Sequence, residues 1–557
     1  MAESTTPLPL ITSRVEQVFP TLTPAQIQRV AAHGEARAVR SGEILVEQGD
    51  RAIPFFLVIS GALEAVRPTC TAEKLISLVR AGQFTGEINT LSGRRALARI
   101  RARQDGEVIR VAREDLLTLV QTDAELSEIL MRAFILRRVE LLAQGISDVT
   151  LVGSRHSADT LRIKEFFTRN GHPYTYVDLE SHDDVQHLLD HFHISAAETP
   201  VVICGGKKVL RNPTNREIAD CLGFNAAVDE ARVRDLVIVG AGPAGLASAV
   251  YGASEGLDVL LLETYSPGGQ AGSTSRIENY LGFPTGISGN ELAGRAYTQA
   301  QKFGAQMLLT TGMRLNCDRK PYVVGLEDGT QVPTRAIVVA SGAKYRKLPI
   351  ADLSRFEGRG IYYGATFVEA TLCSGEPVIV VGGGNSAGQA AVFLAEKTEH
   401  VYMLVRGAGL TDTMSKYLIR RIEITPNLSL LTHTELVRLE GTDHLERIAW
   451  RNNRTGEIEE RNIAHVFLMT GADPNTGWLN GCVTLDNKGF IKTGSDLSAE
   501  ELTGARWPLN RRPYLLETSQ PGVLAAGDVR GGNVKRVASA VGEGSIAVSF
   551  VHQLLRE

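Results

Sequence analysis

Two glycine turns, each entered from an apolar run and left through a stretch of small residues, constrain the fold of this chain more than any other feature. The first is Asp235-Leu-Val-Ile-Val-Gly240-Ala-Gly242-Pro243-Ala244-Gly245. Leu236 to Val239 reads as a buried parallel strand, and Leu246 to Gly256 as a helix of small residues lying close to it. Gly240 allows the turn, Gly242 lets backbone N–H groups approach a pyrophosphate, and Gly245 permits close packing, while the helix N-terminus supplies partial positive charge. Val259-Leu-Leu-Leu262 forms the next strand and ends in Glu263, placed for a ribose hydroxyl. The second turn follows the strand Pro377-Val-Ile-Val-Val381 and reads Gly382-Gly-Gly384-Asn385-Ser386-Ala387, with a small-residue helix predicted from Ala387 to Glu396. Two such loops about 140 residues apart imply two dinucleotides that meet. A flavin and a nicotinamide are expected, because hydride passes naturally between those rings.

A chain of 557 residues has room for three or four domains, each with its own core. Its net charge of −4 offers no electrostatic argument for nucleic acid or an anionic membrane as partner. No apolar run reaches the length of a bilayer span, and the start Met-Ala-Glu-Ser-Thr-Thr lacks a basic and apolar leader, so a cytoplasmic protein is expected. Cys70, Cys204, Cys221, Cys317, Cys373 and Cys482 are widely spread, with no CxxC pair. They are expected to be separate packing residues in a reducing compartment, with no metal site and no disulfide framework.

Ahead of the first glycine turn lie two smaller modules. From Glu43 to Val66 apolar and polar residues alternate, interrupted by Gly49-Asp50 and Gly61, which predicts short strands of a small antiparallel barrel. One long helical segment is expected from Glu114 to Leu142. This module resembles the cyclic nucleotide-binding domain family through Gly42-Glu-Ile-Leu-Val-Glu-Gln-Gly49-Asp, Phe56-Leu-Val-Ile-Ser-Gly61 and Phe84-Thr-Gly86-Glu87. The resemblance implies that Glu87 takes a ribose hydroxyl. The family's phosphate-binding arginine falls on Ala96, and Arg95, one residue earlier, is the substitute that a shifted loop could bring to the phosphate.

In the next module, strands at Val149 to Gly153, Tyr174 to Leu179 and from Thr199-Pro200 onward alternate with helices at Ala158 to Asn170 and Asp183 to His191. The order resembles the thioredoxin and glutaredoxin family, in which the proline is cis and faces a redox-active CxxC. Here that position reads Ser154-Arg-His156-Ser157, which cannot form a mixed disulfide, so the module is expected to dock or support rather than exchange thiols. His156 reads as a solvated loop residue, and Cys204 as core.

From Arg232 onward the chain resembles the thioredoxin reductase branch of the flavoprotein disulfide reductases. The resemblance is carried by Gly268-Gly269-Gln270, Glu278-Asn279-Tyr-Leu-Gly-Phe-Pro284, Ala340-Ser-Gly342-Ala, Thr470-Gly471 with Pro474-Asn475-Thr, and Gly522-Val-Leu-Ala-Ala-Gly527-Asp528, together with both glycine turns. It implies that FAD is held by Gly240, Gly242, Pro243, Ala244, Gly245, Glu263, Gly269, Gln270, Asn279, Gly342, Gly527 and Asp528, with the backbone of Arg536, Val537 and Ala538 near the flavin ring. Gly382, Gly384, Asn385, Ser386 and Ala387 would hold NAD(P)H. Arg406 keeps the first of two arginines that read a 2′-phosphate and Gly407 replaces the second, so NADPH is favoured and NADH stays open.

One departure decides the chemistry. Where the family carries a Cys-Ala-Thr-Cys redox pair, this chain has Gly364-Ala365-Thr366-Phe367 after Tyr363, and Cys373 is the only nearby thiol. Catalytic side chains are therefore unassigned. The expected architecture is multidomain: a β-barrel sensor with helices (1–146), a thioredoxin-like α/β domain (147–225), and a two-dinucleotide α/β flavoprotein module with an FAD domain (232–351 and 472–557) and an NAD(P) domain (352–471). The expected function is NAD(P)H oxidation through FAD to a small-molecule or protein acceptor, gated by the sensor and with a cyclic nucleotide as candidate effector. A turnover-free FAD sensor or scaffold, and disulfide reduction through a partner's thiol, are the alternatives. The resemblance implies a homodimer.

Overall fold

The computed structural model describes residues 15–557 apart from 52, 69–72, 145, 146, 148, 156, 181–193, 196, 197, 206, 207, 226, 227, 311, 312 and 480, and apart from the side chain of Phe367. Strands Glu35–Val39, Ile44–Val46, Phe55–Pro68, Glu73–Arg80 and Arg99–Val111 form an antiparallel sheet. Gly61 turns its longest strand at φ +76°, where a Cβ would lie 2.5 Å from Asp105 O.

The single helix expected from Glu114 to Leu142 is two helices, Arg113–Thr122 and Ala124–Ala143. Asp123 divides them. Its backbone is extended, and its carboxylate accepts from the Leu126 N–H at 3.0 Å, capping the second helix. A cap placed inside a periodic run leaves the apolar spacing almost in phase, so periodicity alone does not reveal it.

The next sheet runs in the order Thr175–Asp178, Val149–Gly153, Val201–Cys204, Lys208–Arg211, with the first pair parallel and the others antiparallel. Helix Ala158–Arg169 connects the parallel pair and buries Phe166 and Phe167 on that sheet, beside Cys204 and Cys221. Ser157 caps this helix, accepting from the Thr160 N–H, and the Thr199–Pro200 peptide is cis. His156 and the helix expected from Asp183 to His191 lie outside the described residues.

The largest sheet has seven strands. Gln306–Leu309, Val259–Glu263, Arg234–Val239, Gln331–Val339 and Val523–Ala525 are parallel, and Tyr322–Leu326 and Met313–Asn316 add an antiparallel edge. Helices cover the parallel strands, which explains their unbroken apolar runs. Leu236, Val237 and Ile238 have no solvent exposure, and each contributes roughly 1.5–3 kcal/mol of transfer free energy. A second, all-parallel sheet orders Ile361–Tyr362, His465–Leu468, Pro377–Val381, His400–Val405 and Leu428–Thr432. The chain passes from one sheet unit to the other and returns through an antiparallel ribbon, Ala343–Tyr345 against Ala472–Pro474.

The cysteine expectation needs one correction. Cys317 and Cys482 form a disulfide although 165 residues separate them, because the strand order brings the turn after Met313–Asn316 beside the turn after Gly477–Leu479. No local spacing in the sequence signals that meeting. Cys204, Cys221 and Cys373 are free and buried, and Cys70 lies outside the described residues. Among the described residues no helix is long and apolar enough to cross a membrane.

Candidate functional site

The residues expected around the first dinucleotide converge at the carboxyl ends of the parallel strands, where open α/β sheets bind ligands. Gly240 has φ +104°, and a Cβ there would lie 2.3 Å from Ala340 O. At Gly245 a Cβ would fall 1.8 Å from Gly240 O, so the close approach of turn and helix admits glycine alone. Gly242 differs: only Gly269 Cα comes as near as 4.0 Å to its Cβ position, which leaves the backbone open. Glu263 is buried and accepts from the N–H groups of Ala241 at 2.7 Å and of Thr264 and Tyr265, both at 2.9 Å. A carboxylate has further lone pairs, so a ribose hydroxyl still has an acceptor there.

Around this turn stand the remaining expected contacts. Gln270 is tied to Ala343 O, and Gly342, at φ +64°, gives its carbonyl to the Asn475 N–H. Gly527 packs on Ala244 and donates its N–H to Glu543 at 2.7 Å. Burial pushes the Asp528 carboxyl above its ordinary value, with Lys535 opposing. Asn279 is exposed.

Helix starts differ in how their first-turn amides are met. Thr23, Ser157, Thr214, Ser288, Thr366 and Ser498 each accept from a first-turn N–H of the helix they begin. Helices Arg113–Thr122 and Lys416–Ile424 lack a side-chain cap, and so do Pro243–Ser254, Asn385–Ala395 and Val537–Leu554, which start at Gly242, Gly384 and Arg536 around the two turns. Their first-turn amides and positive dipole ends suit phosphate oxygens, so the residues present fit a bound dinucleotide.

The second helix begins at Asn385 rather than at Ala387, because the turn closes directly into it. Gly382 has φ +148°, with Met469 O 2.5 Å from its Cβ position, while nothing lies within 4 Å of a Cβ at Gly384. Asn385 Oδ1 accepts from the Ser415 N–H at 2.8 Å. Arg406 stands exposed at the end of strand His400–Val405. Arg421, a nearby cation, is instead paired with Glu278 across the two units at 2.7 Å.

Between the two turns lies a cleft lined by Gln270, Ser273, Thr274, Tyr345, Tyr363, Gly364 and Ser386. Ala365 bridges to Thr274, and a Cβ on Gly364 would sit 3.5 Å from Ser273 Cβ. Cys373 is fully buried, and burial pushes its thiol up to about 12, so it is a packing residue with negligible thiolate at neutral pH.

Glu87 faces a cavity inside the N-terminal sheet. Desolvation raises its carboxyl, with Arg138 opposing at 3.6 Å. Arg95 is not brought there. It lies against Gly223, while Arg94 stacks on Phe224 at 3.8 Å, so both arginines face the following modules and Ala96 lines the cavity.

Several residues of consequence escaped sequence reading. Arg138 Nε and Nη2 donate to Gly171 O at 3.0 and 2.7 Å, just beyond helix Ala158–Arg169. That helix spans both dinucleotide units. Arg169 donates to Gly269 O at 2.6 Å, Tyr265 donates to Glu165 at 2.6 Å, and Ala158 packs on Gly358. Glu165 also meets Glu369 on helix Phe367–Leu372, and burial with that neighbour pushes the Glu369 carboxyl well above the usual range. One signal was available: Leu126, Leu130, Phe134 and Arg138 share a helical face, so an arginine continues a buried stripe.

A family model described as pyridine nucleotide-disulphide oxidoreductase matches residues 234–544, and one described as cyclic nucleotide-binding domain matches residues 36–123. The chain is similar to the thioredoxin reductase of Ureaplasma parvum serovar 3, with 31% identity over 58% of this chain and 97% of that protein. It is 31% identical to NADPH-dependent thioredoxin reductase 3 of Arabidopsis thaliana over 63% of this chain and 66% of that one. Among solved structures, T. acidophilum thioredoxin reductase has 27% identity and a TM-score of 0.52, covering 58% of this chain and 100% of that one. Lactococcus lactis thioredoxin reductase has 27% identity and a TM-score of 0.51, covering 58% and 99%. With an N-terminal cyclic nucleotide-binding domain ahead of two uncapped glycine turns, the chain belongs to the pyridine nucleotide-disulphide oxidoreductase family, as a thioredoxin reductase-like flavin-dependent NAD(P)H oxidoreductase.

Proposed function

We propose that this protein oxidises NADPH through FAD and delivers the electrons to an acceptor outside the chain, without an internal dithiol relay. The observation that carries this reading is the position of Gly364: it lies beside Ser273 in the cleft between the glycine turns, and the sequence has no two cysteines three residues apart. When bound, FAD supplies two-electron chemistry between the nicotinamide and that acceptor. The first turn with Glu263, Gln270, Gly342, Asp528 and the Arg536–Ala538 backbone holds the flavin. Residues 382–387 and Arg406 hold the nicotinamide dinucleotide, with NADPH favoured by the arginine and by the similarity to one relative named as NADPH-dependent. Residues 232–351 with 472–557 act as the FAD domain, and 352–471 as the NAD(P)H domain. The protein works as a homodimer.

Regulation comes from the N-terminal module, a β-barrel sensor, through the thioredoxin-like module at 147–225. A ligand beside Glu87 competes for the carboxylate that pairs with Arg138. Arg138 in turn holds Gly171, and helix Ala158–Arg169 joins Gly269 and Tyr265 to the Glu165–Glu369 contact. Turning of the NAD(P)H domain about the Ala343–Tyr345 ribbon breaks that last contact, so the helix sets the balance between domain arrangements.

Anaerobic stopped-flow absorbance of the FAD-loaded protein tests the first half. NADPH is expected to bleach the flavin, and steady-state oxidation with oxygen or a quinone as acceptor is expected without added thioredoxin. A flavin that neither NADPH nor NADH bleaches removes the proposal. For the second half, Arg138→Gln is expected to abolish any change in NADPH oxidation caused by a ligand of the N-terminal module. Undiminished regulation in that variant excludes the route.

A further inference from the structure

The N-terminal cavity is built for a ligand of different chemistry from a cyclic nucleotide. Its volume is about 120 Å³, and its wall is mainly apolar, with Val46, Ile53, Ala65, Val79, Leu97 and Ile100 among the residues that line it, and Glu140 and Gln144 at its edge. An apolar protein cavity of about 150 Å³ accommodates benzene, so one ring or an equivalent alkyl group fills this one.

Two buried side chains close the polar end. The Glu87 carboxylate has no close side-chain hydrogen-bond partner, the nearest cation being Arg138 Nη1 at 3.6 Å, and Arg137 Nη2 donates no hydrogen bond. Arg137 is otherwise fixed: Nε donates to Val18 O at 2.9 Å, Nη1 to Gly86 O at 2.8 Å, and its guanidinium lies 4.8 Å from the ring centres of both Phe19 and Phe84. Buried donors and acceptors left unmet are costly, so this end is set up for a partner with one donor and one acceptor.

A cyclic phosphate lacks what it needs here. Ala96 occupies the wall, and Arg94 and Arg95 are engaged with Phe224 and Gly223 on the outer side. An anion would be buried beside the Glu87 carboxylate, and Arg137, whose Nε and Nη1 are already engaged, offers it one free donor rather than a bidentate fork.

We propose that this cavity is a receptor site for a small, uncharged, mainly apolar alcohol of about phenol size. The ring or alkyl group fills the apolar wall. The hydroxyl donates to Glu87 and accepts from Arg137 Nη2. Its effect on turnover refines the regulatory half of the proposed function and rests on it, whereas binding does not, so binding is what is measured.

The test titrates the FAD-loaded full-length protein with phenol, benzene, cAMP and cGMP by calorimetry, with thermal midpoint as a second readout. Phenol is expected to bind saturably with a dissociation constant on the order of 0.1–1 mM and to raise the thermal midpoint. Benzene, which leaves Glu87 and Arg137 unmet, is expected to bind about tenfold more weakly. Ala65→Phe, which fills the cavity, is expected to weaken phenol at least tenfold with the flavin spectrum unchanged. Saturable binding of either cyclic nucleotide, absence of phenol binding, benzene binding as tightly as phenol, or undiminished phenol binding by a folded Ala65→Phe protein would each overturn the proposal. The phenol-to-benzene ratio needs no variant and decides the question if Ala65→Phe fails to fold.

Discussion

The first glycine turn and the N-terminal cavity both descend from nucleotide-binding designs, and they have kept different parts of them. At Gly242 and Gly384 the anion-handling parts are backbone: uncapped amides at helix starts, reached through turns in which Gly240, Gly245 and Gly382 leave no room for a Cβ. In the cavity they were side chain, and there Glu87 stays while Arg94 and Arg95 point outward onto Phe224 and Gly223. Phosphate recognition by main chain is locked to the fold because the fold cannot form without the turn. Recognition by a single arginine is held by one rotamer and one loop length. It is lost without cost to the surrounding sheet.

The largest effect expected from that contrast is at Gly245. Gly245→Ala places a Cβ against Gly240 O, so FAD affinity is expected to fall roughly a hundredfold, about 3 kcal/mol, read as loss of flavin absorbance after gel filtration. Flavin retention equal to the parent protein would break the claim that the main chain is locked. Next is a gain. Gly364→Cys with Phe367→Cys places two thiols at the family's redox position, and NADPH-dependent reduction of an aromatic disulfide is expected to rise at least about tenfold above the parent. No gain would show that more than the dithiol has been lost.

A smaller effect concerns Glu369. Its carboxyl is raised in the folded protein, so the stability it contributes is present below about pH 4.5 and is lost as pH rises through its folded value. Glu369→Gln is therefore expected to flatten the fall of thermal midpoint between pH 5 and 8, measured by calorimetry. A parallel slope in both proteins would place the proton elsewhere. The smallest effect is at Arg95. Arg95→Ala is expected to change ligand binding in the N-terminal cavity less than about twofold, since the side chain packs on Gly223. A tenfold loss would return Arg95 to the cavity and undo the contrast.

The same distinction governs how far the sequence could be read. Strand, turn and helix around Gly240 and Gly382 were legible because steric demands on glycine are local and strands buried on both faces write themselves as apolar runs. The division at Asp123, the Cys317–Cys482 bond and the outward turn of Arg94 and Arg95 were not. The Asp123 cap is local but leaves the apolar spacing in phase, whereas the other two depend on which distant segment arrives beside a residue, and no short window carries that information. Helix Ala158–Arg169 is the extreme case: its sequence reads as an ordinary amphipathic helix, yet its role comes from Gly269, Tyr265, Gly358 and Glu369, all supplied by later segments.

The ribbon of Ala343–Tyr345 against Ala472–Pro474 has a mechanical consequence. Two strands crossing side by side twist without losing their mutual hydrogen bonds, so the ribbon offers little resistance to torque. Resistance then comes from the periphery, where Arg421 meets Glu278 and Glu165 meets Glu369. A contact far from an axis opposes rotation in proportion to its lever arm. The speed at which the two units exchange positions is therefore set by how often those outlying carboxylates let go, and pH and ionic strength act on it directly.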